Sequence, residues 1–275
     1  MTTISPASDV RSRPAIVITG ASSGIGREIA RIAAREKIPL LLIARSNDAL
    51  LALAKEIESS GTEAACLSLD LCDRDAGEQI ESRLASLNWH CTSLVLGAGL
   101  GIIGPSYSAD RNEQLAVLDI NARVLTELAL RFLPDMIARR SGGVLTVGSI
   151  AGYFPGPNMA VYYATKAYIR SFSNALHAET RGLGVTVTVL SPGFVNTPFW
   201  GRSGIGQTRL RKILPSMSAA EVAEVGWRGF KSGRRVVVPG LTNRILIVAA
   251  KIMPIGFSAW LIHLLQRQRP PAAPP

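Results

Sequence analysis

Short apolar runs rich in β-branched residues alternate with longer helical patterns through most of this sequence. These runs are mainly apolar, as parallel strands covered on both faces require. Strands separated by helical segments form repeated βαβ units, so the sequence predicts an α/β fold with a doubly wound parallel sheet. We predict about seven strands: Ala15–Thr19, Leu40–Ala44, Glu63–Leu69, Ser93–Leu96, Gly143–Val147, Val185–Leu190 and Arg235–Val238.

The 275 residues are predicted to form one large domain with two short tails. Hydrophobic residues make up 47% of the chain and charged residues 18%, which excludes disorder, collagen and coiled coil. Residues 1–13 lack periodicity and are predicted to be a flexible tail. Residues 14–240 form the main domain, 241–269 an apolar and basic helical extension, and 270–275 a Pro-rich tail.

The net charge of +10 is concentrated at one end of the chain. Residues 1–200 have 18 basic and 18 acidic side chains, whereas residues 201–275 have 12 basic and two acidic ones. This distribution indicates an anionic partner: a lipid headgroup, a phosphorylated ligand or nucleic acid. Nucleic acid is not expected, because we find no aromatic platforms interleaved with the basic residues beyond Trp200 and Trp227.

Three cysteines, an odd number, show no metal-type spacing, so no metal site is predicted. The N-terminus has no apolar stretch of the signal-peptide kind. We therefore expect a cytoplasmic protein, with membrane association left open.

A glycine-rich turn, Thr19-Gly20-Ala21-Ser22-Ser23-Gly24-Ile25-Gly26, joins the first strand to a helical pattern. Glycines at such a turn let the backbone approach a pyrophosphate, whose charge is met by free N–H groups and the helix dipole. The pattern is typical of a Rossmann-type dinucleotide site. The predicted contacts are Gly20, Ser22, Ser23, Gly24, Ile25 and Gly26.

The second predicted strand ends in Ala44-Arg45. An acidic residue here would bond a ribose 2′-OH, whereas an arginine accommodates a 2′-phosphate, so Arg45 predicts NADP(H) as the cofactor. The alternative interpretation is that Arg45 faces solvent and binds no cofactor. Asp70, at the end of the third strand, either bonds the adenine or caps a helix.

Ser149 and Tyr162-Tyr163-Ala164-Thr165-Lys166 form a second group. Tyr162 and Lys166 are four residues apart and so project from one face of a helix. An ammonium beside a phenol favours the phenolate, and moving the phenol pKa from near 10 towards 7 takes about 4 kcal/mol. Such a phenol could donate a proton to a carbonyl while a hydride arrives at its carbon.

These motifs resemble the short-chain dehydrogenase/reductase family, whose TGxxxGxG motif matches Thr19 to Gly26, and the resemblance runs from about Pro14 to Gly240. It implies that Tyr162 is the general acid/base and that Lys166 lowers its pKa and binds the nicotinamide ribose. It further implies that Ser149 orients the substrate oxygen and that Asn121 holds a water in a proton relay. A buried structural amide is the other interpretation of Asn121.

Two more segments carry the resemblance. In Ser191-Pro192-Gly193-Phe194-Val195-Asn196-Thr197, it implies that Val195 and Thr197 contact the nicotinamide carboxamide, with Pro192 and Gly193 beside it. Leu96-Gly97-Ala98-Gly99 stands where the family has Asn-Asn-Ala-Gly. Ala98 and Gly99 still permit close cofactor approach, but the loss of both amides puts the hydrogen bonding of this region in doubt.

Residues 200–215 occupy the position of the family's variable substrate loop, and their glycines suggest a mobile lid whose charges meet an anionic substrate or face water. Ile245 to Leu265 is apolar but interrupted by Pro254, so we predict two short helices there. They close over the substrate pocket, form an oligomer contact, or lie in a membrane interface; a true membrane span is a further alternative, opposed by Lys251 and Pro254.

The segment from Val236 onward resembles the subgroup of 3-oxoacyl and 17β-hydroxysteroid reductases, which implies a lipophilic carbonyl substrate. We therefore expect an NADPH-dependent carbonyl reductase, reversible as an alcohol dehydrogenase, that forms a homo-oligomer. The alternative is a non-catalytic dinucleotide-sensing or scaffold protein on the same fold.

Overall fold

The computed structural model describes residues 12–203, 208, 210 and 213–266. Its centre is a seven-stranded parallel sheet with the strand order β3-β2-β1-β4-β5-β6-β9, which confirms the predicted fold class. The seven strands are β1 Arg13–Thr19, β2 Leu40–Ala44, β3 Ala64–Ser68, β4 Trp89–Leu96, β5 Gly142–Val147, β6 Val185–Leu190 and β9 Val236–Val237.

The sequence did not predict the two remaining strands. Strands β7 (Phe194–Asn196) and β8 (Ser216–Ser218) pair in parallel as a separate two-stranded sheet. Each has three residues, too few for a period-two pattern to be visible in the sequence.

Helices cover both faces of the main sheet. Along β1, Ala15 and Val17 enter one apolar cluster and Ile16 and Ile18 enter another, all without solvent exposure. This division explains why successive residues of β1 are apolar and not only every second one. The helices are α1 Gly24–Ala33, α2 Asn47–Ser59, α3 Ala76–Ser86, α4 Arg111–Leu118, α5 Leu125–Ala138, α6 Ala160–Glu179, α7 Phe199–Ser203, α8 Ala219–Lys231, α9 Leu241–Ile252 and α10 Ile255–Gln266.

The two apolar clusters assign the helices to opposite faces. Helices α3, α5 and α6 pack on the Val17 side, and α1, α2 and α8 pack on the Ile16 side. Because β1 lies between β2 and β4, the chain reverses its winding direction at β1. The crevice at the carboxyl ends of these strands is where doubly wound sheets bind ligands.

The N-terminal boundary lies slightly earlier than predicted. Arg13, assigned to the flexible tail, is the first residue of β1 and pairs with Trp89. Ser12 Oγ is 3.0 Å from His90 Nδ1, so it too is held against the domain. The rest of the predicted tail (1–11), residues 204–207, 209 and 211–212 of the predicted lid, and residues 267–275 lie outside the described residues.

The C-terminal extension forms two helices, α9 and α10, as predicted. Met253 and Pro254 separate them, because proline lacks the N–H that would continue α9. Among the described residues, no helix is both long enough and apolar enough to cross a bilayer.

Candidate active site

The glycine-rich turn between β1 and α1 has a backbone that only glycine fits. Gly20 and Gly24 have φ values of +69° and +58°, in the left-handed region. A Cβ on Gly26 would lie 2.5 Å from the carbonyl oxygen of Gly20, and a Cβ on Gly20 would lie 2.8 Å from the backbone nitrogen of Ala98. The turn therefore leaves a bare backbone cradle in front of the N-terminus of α1.

This cradle is one end of a cleft of about 530 Å³ along the carboxyl edge of the sheet. The structure brings all the residues predicted to bind the cofactor to its wall. They are Gly20, Ser22, Ser23, Gly24, Ile25, Gly26, Arg45, Asp70, Ala98, Gly99, Tyr162, Lys166, Pro192, Gly193, Val195 and Thr197.

Sequence reasoning missed several residues of the same wall. Ser46 follows β2, Leu69 and Cys72 follow β3, and Leu100 and Gly101 follow β4. Their shared signal is position, since each comes within a few residues of the carboxyl end of a strand in the predicted sheet.

Arg45 and Asp70 face each other across the end of the cleft. Arg45 Nη1 lies 4.0 Å from Asp70 Oδ2, and both side chains are substantially exposed. Asp70 Oδ1 also accepts a 2.9 Å hydrogen bond from the backbone N–H of Cys72. Asp70 does not cap a helix, because α3 begins only at Ala76 with Asp75 before it. The adenine contact of Asp70 stays a prediction.

Asn121 lies in a π-helical turn, Asp119–Val124, between α4 and α5. Its Nδ2 donates to the carbonyl of Leu100 at 2.8 Å and to Thr165 Oγ1 at 3.0 Å. Its Oδ1 accepts from the N–H of Leu100 at 2.9 Å. The amide thus connects the loop after β4 to α6 as a buried structural group, and its water-holding role stays a prediction.

Ser149, Tyr162 and Lys166 meet at the middle of the cleft. Lys166 Nζ donates a 2.9 Å hydrogen bond to the carbonyl of Val147 and lies 5.6 Å from the centroid of the Tyr162 ring. Ser149 Oγ accepts from the N–H of Ala151 at 3.1 Å and donates to the carbonyl of Pro192 at 3.4 Å. Ser149 therefore also caps the 3₁₀ turn Ile150–Tyr153.

Burial governs the protonation of this group. It raises the pKa of Tyr162 to about 12, and a hydrogen bond with the Ser149 hydroxyl opposes part of that rise. It also lowers the pKa of Lys166 to about 8. Burial therefore favours the neutral phenol in the protein by itself, and the lowering of its pKa by Lys166 that the resemblance implies stays a prediction.

Tyr163, the neighbouring tyrosine, packs against the C-terminal extension. Its hydroxyl accepts a 2.6 Å hydrogen bond from Gln266 Nε2 at the end of α10. Both side chains are buried, as expected for a packing residue.

A second, apolar cavity of about 170 Å³ adjoins the cleft and shares Ser149 and Tyr162 with it. Helices α9 and α10 line its far side, so these helices cover the pocket next to the candidate catalytic group. The two helices and the residues between them contribute Leu246, Ala249, Met253, Ser258, Leu261, Ile262 and Leu265.

The Thr19 hydroxyl bonds the segment in which Leu96-Gly97 stands in place of the two expected amides. Its buried hydroxyl accepts from the N–H of Gly97 at 3.1 Å and from the N–H of Ala98 at 3.3 Å. It donates to the carbonyl of Val95 at 3.2 Å. The hydrogen bonding that the sequence put in doubt is therefore supplied by the neighbouring strand.

Comparisons with known proteins agree with this geometry. The family model for short chain dehydrogenases matches residues 14–207. A very-long-chain 3-oxoacyl-CoA reductase of Bos taurus is 32% identical over 186 residues, which is 66% of this chain and 59% of that protein. A fatty acyl-CoA reductase of Acinetobacter baylyi is 31% identical over 271 residues, which is 91% of this chain and 90% of that protein.

A solved structure gives the same fold. The short-chain dehydrogenase from Sphingobium yanoikuyae in complex with NADPH is 29% identical and superposes with a TM-score of 0.76, over 86% of this chain and 93% of that one. The chain spans between 54% and 59% of the length of three of its sequence relatives.

Proposed function

This chain belongs to the short-chain dehydrogenase family, and from that premise we propose that it is an NADP(H)-dependent oxidoreductase. It transfers a hydride between the nicotinamide and a carbonyl or secondary alcohol of lipophilic type. The observation that carries the proposal is the position of Ser149 and Tyr162, which face the polar cleft on one side and the apolar cavity on the other.

The residues of the cleft fit a dinucleotide. The bare backbone at Gly20, Gly24 and Gly26 and the N-terminus of α1 suit a pyrophosphate. Lys166, at the middle of the cleft, is within reach of a ribose beside Tyr162. When bound, the cofactor supplies the hydride.

In the direction of reduction, this chain supplies the proton. The Tyr162 phenol is protonated at neutral pH, because its pKa is about 12, and it donates to the carbonyl oxygen as the carbonyl carbon receives the hydride. Ser149 holds that oxygen against the phenol. The Lys166 ammonium, whose pKa is about 8, then returns a proton to the phenolate, and the resulting amine takes a proton from solvent to complete the cycle.

Arg45 supports NADP(H) over NAD(H). Its side chain is 73% exposed and only 4.0 Å from Asp70, so it can turn towards a 2′-phosphate at little cost. A charge-assisted hydrogen bond contributes about 1.5–3 kcal/mol. Arg45→Ala should therefore reduce the preference for NADPH over NADH by roughly ten- to over a hundredfold in kcat/KM, and an unchanged ratio would remove Arg45 from the site.

The apolar cavity and the relatives support a lipophilic substrate. The cavity walls of α9 and α10 are almost entirely aliphatic. The names of two relatives describe reductases of 3-oxoacyl-CoA and fatty acyl-CoA, so thioesters and aldehydes of long chain length are the first substrates to test.

The decisive measurement is NADPH consumption with long-chain 3-oxoacyl thioesters, ketosteroids and hydrophobic aldehydes. Tyr162→Phe should abolish turnover and leave NADPH binding intact. Tyr168→Phe is the matched control on the same helix, because its hydroxyl bonds Thr126 at 2.7 Å on the exposed side, and it should turn over normally. Turnover by Tyr162→Phe would refute the proposal, and NADPH binding without turnover of any substrate would favour a dinucleotide sensor.

The proposal extends to the setting of the enzyme. It acts in the cytoplasm as a homo-oligomer with small-molecule substrates, and the C-terminal helices make a peripheral membrane contact. Sedimentation equilibrium tests the homo-oligomer, and a strictly monomeric active enzyme would contradict it.

A further inference from the structure

The outer side of α9 and α10 presents large apolar side chains to solvent. Seven of them are between 52% and 80% exposed. On α9 they recur at spacings of four, three and four residues, which places them on one side of the helix. We call this set the outer apolar face; it consists of Leu241, Ile245, Val248, Ile252, Ile255, Phe257 and Trp260.

The fold does not need this face for its own packing. The opposite sides of the same helices are anchored: Ile247 and Ile262 are buried, and Leu246, Met253 and Leu261 line the apolar cavity. Water-exposed apolar side chains in such a series mark a surface that binds something.

Charge identifies what that partner is. After Glu224, the last 51 residues contain eight lysines and arginines and no carboxylate side chain. Arg244 and Lys251 stand beside the outer apolar face, each within one turn of Val248, and both are exposed. Neither forms an ion pair with any residue that the structure describes. The partner must therefore accept apolar contact and positive charge together.

A second copy of this chain fits poorly, because a two-fold interface on this face would bring Arg244 and Lys251 against the same cations. An anionic bilayer surface fits both requirements. Phe257 and Trp260 lie with ring centroids 5.7 Å apart; the indole of Trp260 favours the membrane–water interface, and Phe257 adds apolar contact on the same face.

We propose that the outer apolar face docks peripherally on an anionic lipid bilayer, with Arg244 and Lys251 at the level of the headgroups. The helices lie in the plane of the interface, since neither is long enough to span it. Docking brings the helices that line the apolar cavity against the lipid. A lipophilic substrate would then reach the cavity without crossing bulk water. Only this consequence rests on the proposed function; the docking itself does not.

Flotation of the full chain with vesicles tests the docking without cofactor or substrate. Binding is expected to equimolar phosphatidylcholine and phosphatidylglycerol, to fall with added salt, and to be much weaker with phosphatidylcholine alone. Ile245→Ser with Ile252→Ser should weaken binding at least tenfold. Lys251→Glu should weaken it roughly thirtyfold.

Matched controls lie on other helices. Leu51→Ser with Leu130→Ser removes two apolar side chains that are each 52% exposed, on α2 and α5, and Lys55→Glu reverses an exposed charge on α2. All should bind vesicles as the unaltered chain does. Every replaced side chain is exposed, so thermal melting should stay near that of the unaltered protein.

Two results would overturn the inference: no flotation of the unaltered chain with anionic vesicles, or equal binding by the variant with Ile245 and Ile252 replaced. If that variant instead converts a dimer to a monomer in light scattering, with unchanged flotation, the face belongs to a second copy. Tyr162→Phe should float normally, so failure of the docking and failure of the proposed chemistry are separate outcomes.

Discussion

Thr19→Val tests how strongly the Thr19 hydroxyl stabilises the segment after β4, where this chain lacks the two amides that the family resemblance leads us to expect. Valine has nearly the same shape, so the change removes the hydrogen bonds and little packing. The Thr19 hydroxyl is buried and accepts from the backbone N–H groups of Gly97 and Ala98 at 3.1 and 3.3 Å. Both donors lose their partner in the variant.

The magnitude follows from the cost of an unpaired buried donor, about 1–3 kcal/mol each. Gly97 and Ala98 are only partly buried, so hydrogen bonds from their N–H groups to water offset part of that cost. The total loss of unfolding free energy should therefore be about 2–3 kcal/mol. For a domain of this size, that lowers the melting temperature by roughly 4–12 °C. Because both residues line the cleft, KM for NADPH should also rise.

Urea unfolding and thermal melting measure the effect beside two controls. Thr19→Ser keeps the hydroxyl and should recover most of the loss. Thr92→Val removes a hydroxyl that only donates, to the carbonyl of Ala15 at 3.2 Å, and leaves no N–H unpaired, so it should cost less than about 1 kcal/mol. Equal destabilisation by Thr19→Val and Thr92→Val would refute the reasoning.

Three further predictions follow from burial and close contact. The pKa of Lys166 is about 8 in the folded protein against an ordinary value of 10.5, so the folded protein binds fewer protons than the unfolded chain between these pH values, and its stability rises with pH across that window. Lys166→Met should therefore be more stable than the unaltered protein at pH 7, by about 2 kcal/mol in urea unfolding. This difference in stability should narrow towards pH 10. Gly26→Ala should weaken NADPH binding at least tenfold in a fluorescence titration, since its Cβ would lie 2.5 Å from a carbonyl oxygen of the same turn, whereas Gly256→Ala, with open space around it, should bind normally. Tyr163→Phe leaves the buried Gln266 amide without its partner and should cost about 1–3 kcal/mol, and adding Gln266→Leu should restore most of it; equal stability of the single and double variants would contradict this.

The fold could be predicted because the apolar pattern of its strands differs from that of its helices. A run such as Leu40–Ala44 is apolar at every position, and in the structure each of its residues is buried between helices on both faces. The β7–β8 pair had no such signal. Its strands have three residues each, and their pairing depends on chain that is distant in sequence.

The candidate site was predictable where a local motif dictates it. Gly20, Gly24 and Gly26 are needed by the turn itself, and Tyr162 and Lys166 share a helix face through their spacing alone. The role of Thr19 had no local signal, because its hydrogen bonds reach residues 78 and 79 positions away. The π-helical turn at Asn121 depends likewise on distant bonds, to Leu100 and Thr165.

The pKa of Tyr162 shows most clearly what the interval between two residues in the sequence cannot predict. A four-residue interval predicts that Lys166 is near the phenol, but the sign of the pKa change depends on how much water both groups lose. Both are almost fully buried, so the neutral forms of the phenol and the amine are favoured together. A neutral phenol is already the species that protonates a carbonyl, whereas oxidation of an alcohol first requires the phenolate. Burial thus opposes the pKa change that the spacing predicts, and a charge added to the cleft would shift the pKa of both groups again.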